Sequence, residues 1–209
     1  MRILVLLLAF LLLPAAGIAE SLPMQAGLDA AQAVAAMHDA VMADVLGRDY
    51  RFSELAGADG IFVLYTDPDA HSYLMVSLGE AGDSADMAIV QSYTLAEFDN
   101  YALPSMTALA TPFIPDENFA AFEEWRDATA SAVAAAAANG SDMELTYYTG
   151  EYIACAMSVY HDDEGAMFTA LVSWHTPLTA EDITLRMEGM SDGSADSQRD
   201  VPVPEGAAG

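Results

Sequence analysis

Lysine is absent from this chain, and cysteine occurs once, at position 155. The basic residues are six arginines, against 32 aspartates and glutamates, and the formal net charge at pH 7 is −26. Without a lysine amine, the chain has no group for Schiff-base catalysis. A negative field of this size repels phosphate backbones and anionic lipid headgroups, which excludes nucleic acids as partners. It favours a basic protein or divalent cations, or it serves solubility alone.

The single cysteine allows no internal disulfide. Cys155 lies in a β-rich run in which Ile153, Met157 and Val159 share its face at the two-residue period of a strand. A reactive thiol needs exposure and nearby positive charge. The pattern therefore predicts a buried, unreactive side chain.

The first 19 residues have the parts of a secretory signal peptide. Arg2 precedes an apolar run from Ile3 to Leu13, and the small residues Gly17 and Ala19 occupy the −3 and −1 positions before Glu20. The run is shorter than the roughly 20 apolar residues that span a bilayer, and no cysteine follows it to carry a lipid. The sequence predicts cleavage after Ala19 and export to the periplasm or the medium, with no membrane attachment afterwards.

The remaining chain is expected to form one domain and a tail. Residues 20–190 have the length of a single domain with enough apolar material for a core. Residues 191–209 are mostly Ser, Asp, Gly, Pro and Ala, a composition that cannot bury enough surface to offset the entropy of ordering. They are predicted to be a disordered acidic tail.

The stretch from Ile61 to Gln91 predicts an antiparallel meander. Three apolar runs of strand length are separated by turn sequences rich in Asp, Pro and Gly. A second meander is expected between Tyr147 and Met187. Helices are predicted over residues 28–46, from the capping box Thr94–Glu97 to just before Pro104, and over 116–138, with 104–115 as a connector.

These elements predict an α+β fold with antiparallel β-sheet meanders and helices packed on one face. The element order, a helix and then three or four strands, is consistent with two duplicated halves, residues 26–93 and 116–188. Residues 183–188 allow two interpretations. Their apolar-polar alternation predicts a strand, whereas Thr179 with Glu181 and Asp182 could cap a helix; the strand is the prediction taken.

A catalytic set is not evident, and no catalytic residue is predicted. Gly189 to Gly193 matches the G-x-S-x-G pattern, but a nucleophile elbow needs a strand before it, a helix after it and a later histidine. All four histidines come earlier. His38 and His175 are expected to be hydrogen-bonded structural residues. Phe119, Phe122 and Trp125 are expected to pack on the sheet.

Two acidic turns are the candidate metal sites. The first contains Asp67, Asp69 and His71, and the second contains His161, Asp162 and Asp163. Carboxylates two residues apart can converge on calcium when a loop curls, and a histidine could recruit zinc. Hairpin turns use the same residue types for backbone reasons. The sequence favours ordinary turns, with no required cofactor and a divalent cation as the alternative.

Three functions follow from these observations. The first is a non-catalytic, adaptor- or chaperone-like module that binds a basic protein or a small ligand through the sheet's edge or open face. The second is a hydrolase that uses Asp69, His71, His161 and Asp163, provided that the two acidic turns meet. The third is a divalent-cation-binding protein whose acidic turns form the site. The sequence leaves the oligomeric state open.

Overall fold

The computed structural model describes residues 22–46, 53–56, 62–67, 72–163 and 165–191. The predicted signal peptide, residues 1–19, and residues 192–209 of the predicted tail lie outside these ranges.

The described residues form one seven-stranded sheet in which every neighbouring pair is antiparallel. Its spatial order is β1-β2-β3-β4-β7-β6-β5. The strands are β1 (Ser53–Ala56), β2 (Phe62–Asp67), β3 (Ser72–Leu78), β4 (Ala85–Ser92), β5 (Met143–Thr149), β6 (Ile153–Asp162) and β7 (Gly165–Leu178).

The two predicted meanders are confirmed, and they join into one sheet. Strands β1 to β4 form one side and β5 to β7 the other, and the last strands of the two meanders, β4 and β7, pair at the centre. The first meander has four strands and the second has three. A duplication of the two halves stays a prediction, because a shared element order alone does not establish it.

The core lies on one face of the sheet and follows the two-residue period of the strands. Along β3, Ser72, Leu74, Val76 and Leu78 are buried, while the residues between them are half-buried. Helices α1 (Leu22–Leu46), α3 (Leu103–Ala110), α4 (Asp116–Ala138) and α5 (Ala180–Ser191) all contribute buried side chains to this core. The predicted α+β class with helices on one face is confirmed.

Helix α1 packs closely because its contact face is small. Ala30, Ala31 and Val34 are fully buried. Near its start, a Cβ added at Gly27 would collide with the carbonyl oxygen of Gly82 in the β3–β4 turn. The helix lies so close to this turn that only glycine fits at position 27.

The helical connection between the two meanders is longer than predicted. The capping box is present, since Thr94 Oγ1 accepts the Glu97 N–H and Glu97 Oε2 accepts the Thr94 N–H. The chain then continues from α2 (Leu95–Glu97) through a π-helical segment, Phe98–Ala102, into α3. The prediction of a stop before Pro104 is therefore wrong.

The π-helical segment explains how a proline is tolerated here. The Leu103 N–H donates to Phe98 O, five residues back, so the hydrogen-bond pattern shifts immediately before Pro104. Pro104 occupies the first turn of α3, where its missing N–H leaves no hydrogen bond unmade. The predicted connector, residues 104–115, is mostly α3 and the 3₁₀ turn Thr111–Phe113.

The prediction of a strand over residues 183–188 is also wrong, because these residues belong to α5. Thr179 Oγ1 accepts the Asp182 N–H at 3.2 Å, and Asp182 Oδ2 accepts the Thr179 N–H at 2.9 Å. This reciprocal cap stabilises the first turn. Ile183 is fully buried and Leu185 is 60% exposed, although residues two positions apart would share one face of a strand. The apolar residues of this segment therefore lie on different sides of a helix.

None of the helices in the described ranges has both the length and the apolar character needed to cross a bilayer.

Candidate functional site

The first acidic turn lies almost entirely outside the described residues. Asp67 is the last residue of β2, but its side chain, Asp69 and His71 are not described. The metal site predicted there stays a prediction.

The second acidic turn uses its polar groups to hold the hairpin. Asp142 Oδ1 accepts the His161 N–H at 2.8 Å and lies 3.2 Å from the His161 ring nitrogen Nδ1. Asp162 Oδ1 accepts the Gly165 N–H at 3.1 Å, and Asp163 is exposed. These contacts are those of a turn. Asp142 was not predicted, because nothing in the sequence places a residue 19 positions earlier beside His161.

The connections β2–β3 and β6–β7 leave the sheet at the same end, as the pairs Asp67–Ser72 and Asp162–Gly165 show. Strands β4 and β7 lie between β3 and β6. The start of β3 and His161 are therefore three strand spacings apart, about 14 Å. Within the described residues, no group of three or more His, Cys, Asp or Glu side chains could hold a metal ion. Residues 68–71 of the first turn lie outside the described ranges, so a zinc or hydrolase site shared by the two turns stays a prediction.

A serine, a histidine and an aspartate do come together, but in the core. His38 Nε2 lies 2.7 Å from Ser105 Oγ, and His38 Nδ1 lies 3.2 Å from Asp39 Oδ1. The order of contacts is that of a serine hydrolase, yet His38 and Ser105 are both fully buried. A substrate cannot reach this serine. The cluster joins α1 to α3, which confirms a hydrogen-bonded structural role for His38.

The other predicted features are structural as well. Burial raises the pKa of the Cys155 thiol to about 12, so the reactive thiolate is disfavoured. The His175 ring contacts the Glu151 carbonyl oxygen at 2.9 Å. Phe122 and Trp125 pack against Tyr148 of β5. Gly189 and Ser191 lie in helix α5, so the G-x-S-x-G pattern lacks the preceding strand of a nucleophile elbow.

The open face of the sheet, the face opposite the core, carries an apolar row across six strands. Adjacent members of the row are register partners, from β2 to β5. The row consists of Leu64, Met75, Ile89, Leu171, Ala156 and Tyr147. It spans five strand spacings, about 24 Å. None of these residues belongs to the helix-packed core cluster. Tyr147 is exposed and Leu64, Met75 and Ile89 are half-buried, whereas Leu171 is 9% exposed and Ala156 is fully buried.

Two further rows flank the apolar row, and neither contains a charged residue between β2 and β6. One consists of Thr66, Tyr73, Gln91, Thr169 and Ser158. On β5, this row meets the exposed Glu144 and Leu145, where the register with β6 shifts. The other consists of Phe62, Ser77, Met87, Ser173, Ala154 and Thr149. In a chain with 32 acidic residues, an uncharged surface of this extent is a marked departure from the rest of the molecule. Uncharged apolar surface of this kind is typical of interaction sites.

Tyrosines are concentrated at the β5–β6 side of the open face. Tyr147 is 57% exposed and Tyr160 is 54% exposed, and Leu145 on β5 is 40% exposed. Tyrosine is enriched in protein interfaces because it combines a large apolar ring with a hydrogen-bonding hydroxyl. The β5 side is therefore the most accessible part of the open face.

A cleft of about 520 Å³ lies at the end of the open face that carries the β3–β4 turn. Its walls include Met87 and Ser173 from the open face and the carboxylates of Glu80, Asp83 and Asp86. Asp86 Oδ1 is buried and accepts no hydrogen bond within the described residues. Burying a carboxylate oxygen without a hydrogen-bond donor raises the free energy of the folded protein. This acidic cleft therefore favours a ligand with a cationic or hydrogen-bond-donating group.

Acidic side chains also border the opposite end of the open face. Asp142, Asp162 and Asp163 are exposed beside the β6–β7 turn. The pKa of Tyr93 at this end is raised, first by burial and then by Tyr73 and Asp162. The two described arginines lie on the helical side. Arg126 pairs with Asp127 on α4, and Arg186 on α5 donates to Pro112 O. The uncharged face thus lies between two acidic borders.

The sequence matches no protein-family model, and no curated protein or solved structure is significantly similar to it.

Proposed function

We propose that this protein is an exported, non-catalytic binding protein that takes up a partner on the open face of its sheet. The single observation that supports the proposal most is the uncharged face with its apolar row on a chain of net charge −26. Elsewhere on the surface, the negative charge opposes association and keeps the protein soluble. The open face is where apolar contact with another molecule lowers the free energy.

The export part of the proposal rests on residues 1–19. Their single arginine, apolar run and Gly17–Ala19 site have the order of a signal peptide. A partner is then expected among the macromolecules outside the cytoplasm.

The test places a charge on the open face and compares it with the same change elsewhere. Tyr147→Asp puts a carboxylate at the β5 end of the apolar row, at a site that is 57% exposed, so the fold should tolerate it. Leu185→Asp is the matched control, because Leu185 is 60% exposed on α5, on the helical side. Tyr160→Asp provides a second open-face variant.

Partners are captured from the native exported fraction with wild-type protein as bait, purified, and titrated against each variant. Wild type and Leu185→Asp should bind with equal affinity, and Tyr147→Asp at least about tenfold more weakly, because a desolvated charge would face apolar surface. Equal affinity for all of these proteins, with folding confirmed by circular dichroism, would show that the open face is not the binding site.

A further inference from the structure

The open face has apolar, uncharged and acidic zones in a fixed order. The apolar row runs across the strands for about 24 Å, and a flanking uncharged row lies on each side of it. Acidic groups follow at both ends of the strands, with Glu80, Asp83 and Asp86 at one end and Asp142, Asp162 and Asp163 at the other. A complementary partner therefore has an apolar centre and positive charge on both sides.

We propose that the open face binds a cationic amphipathic helix, lying across the strands, with one basic side chain in the acidic cleft at Asp86. This inference rests on the proposed function and specifies its partner. A helix about 24 Å long has about 16 residues, and one apolar stripe along it matches the length of the apolar row. Its width of about 10–12 Å brings the basic side chains on one side of that stripe close to Asp86, three residues from Ile89 along β4. Asp162, six residues from Ala156 along β6, lies about 20 Å from the stripe and attracts the other side at long range.

The cleft gives the partner a defined anchor. Asp86 Oδ1 has no hydrogen-bond partner within the described residues, and the cleft volume of about 520 Å³ exceeds what an arginine side chain needs. A guanidinium placed there lies near Glu80 and Asp83, and it donates to the buried Asp86 Oδ1 once the Asp86 side chain turns toward the cleft. A charge-assisted contact of this kind is stronger than a neutral hydrogen bond and is directional.

A second copy of this chain fits the face less well. Two molecules of charge −26 repel each other, and within the described residues the arginines lie on the helical side. His161 and His175 are the described basic residues beside the open face, too few to pair with the acidic groups of a copy. Long-range repulsion between like-charged proteins slows association and weakens it. The acidic borders thus select against self-association and favour a basic partner.

The probe is a synthetic peptide of about 16 residues with leucines at i, i+3, i+4 and i+7 and arginines on both sides of that stripe. It is titrated against the purified protein by fluorescence anisotropy. Two control peptides have the same length: one replaces every arginine by glutamate, and the other scrambles the order so that no apolar stripe forms. The basic amphipathic peptide should bind at least about tenfold more tightly than either control.

Variants of the protein then locate the contact. Asp86→Asn should weaken peptide binding about tenfold and reduce its dependence on salt, because one charge-assisted contact is lost. Glu117→Gln is the matched control, an exposed acidic residue in the first turn of α4 on the helical side, and it should change affinity less than twofold, or about 0.4 kcal/mol. Tyr147→Asp should weaken binding through the apolar row.

Several outcomes overturn the inference while leaving the proposed function intact. Equal binding of the basic and acidic peptides excludes charge complementarity, and equal binding by Asp86→Asn and Glu117→Gln excludes the cleft as the anchor. A concentration-dependent dimer that Tyr147→Asp dissociates identifies a second copy as the occupant. If Tyr147→Asp alters neither peptide binding nor capture of the native partner, the proposed function fails as well.

Discussion

At the scale of single residues, the buried contact between His38 and Ser105 is the most consequential in the core. It joins α1 to α3 through one 2.7 Å hydrogen bond between residues 67 positions apart. The sequence predicted that His38 is structural, since it lies on the apolar side of a helix. It could not predict Ser105, because a serine in an alanine- and leucine-rich helix carries no pattern that distinguishes it.

Ser105→Ala should therefore destabilise the protein. The change removes the hydrogen bond between Ser105 Oγ and His38 Nε2 while the ring stays fully buried, and the loss of one such bond costs about 1 kcal/mol. Urea unfolding followed by circular dichroism measures the loss. Ser131→Ala is the control, since the Ser131 hydroxyl only donates to Asp127 O on the exposed surface of α4. A loss no larger than that of Ser131→Ala would contradict a stabilising role for the contact.

The single thiol gives a prediction about alkaline pH. Folding raises the pKa of Cys155 to about 12, whereas the thiol of the unfolded chain ionises near 8.5. The contribution of this thiol to the free energy of unfolding is fully present below the pKa of the unfolded chain. It decreases as pH rises towards 12, because in this range only the unfolded state releases the proton. Between about pH 9 and pH 10, the wild type should lose about 1 kcal/mol more than Cys155→Ala. Parallel pH dependences of the two proteins would show that Cys155 is not protected in the folded state.

At the scale of elements, the two errors of prediction share one cause. Local sequence fitted two structures in each case, and tertiary packing selected one. The run from Thr94 to Phe113 stays helical across Pro104 because a π-helical segment shifts the hydrogen bonds and because Met106, Leu109 and Phe113 are buried in the core. Residues 183–188 are helical because Ile183 is buried in the helix-packed core and Thr179 caps the first turn.

Thr179→Ala should weaken α5. The substitution removes the hydroxyl that accepts the Asp182 N–H and donates to Asp182 Oδ2, and loss of an N-cap costs about 1 kcal/mol. Hydrogen exchange should speed up in residues 180–188 before the rest of the molecule is affected. Thr184→Ala removes only a hydroxyl that donates to Ala180 O in the middle of the helix, so it serves as the control. Identical exchange in the two variants would mean that the cap does not hold α5.

At the scale of the whole molecule, charge dominates. The 32 acidic residues repel one another, and the few arginines cannot compensate for them. The sheet concentrates uncharged residues on the open face and leaves the carboxylates on the borders, on the helices and in the turns. This segregation is what distinguishes the open face from the rest of the surface.

Salt should stabilise the folded protein. Raising sodium chloride from about 10 mM to about 300 mM shortens the Debye length from about 30 Å to less than 10 Å and screens the repulsion. The free energy of unfolding should rise by about 1 kcal/mol, which corresponds to an increase in Tm of about 2–4 °C for a protein of this size. Potassium chloride should act equally, since screening does not depend on which monovalent cation is present. A Tm that falls with salt would contradict net repulsion as the destabilising term.

The two meanders, the long helix over residues 116–138, the helices on one face and the buried Cys155 could all be predicted from the sequence. These features depend on periodicity and turn residues that act within a few positions, where chain connectivity already brings the groups together. The charge also follows from the sequence, and it predicts that nucleic acids are not partners.

The order of the strands could not be predicted from the sequence. It is seen in the fold, where β4 and β7 pair at the centre and lie between β3 and β6. The open face is a product of that order, since its apolar row takes one residue from each of six strands. Alternation along a strand identifies two faces, but it cannot tell which residues of distant strands become neighbours. Strand register and burial supply that information, because hydrogen bonding and exclusion of water act across the whole chain.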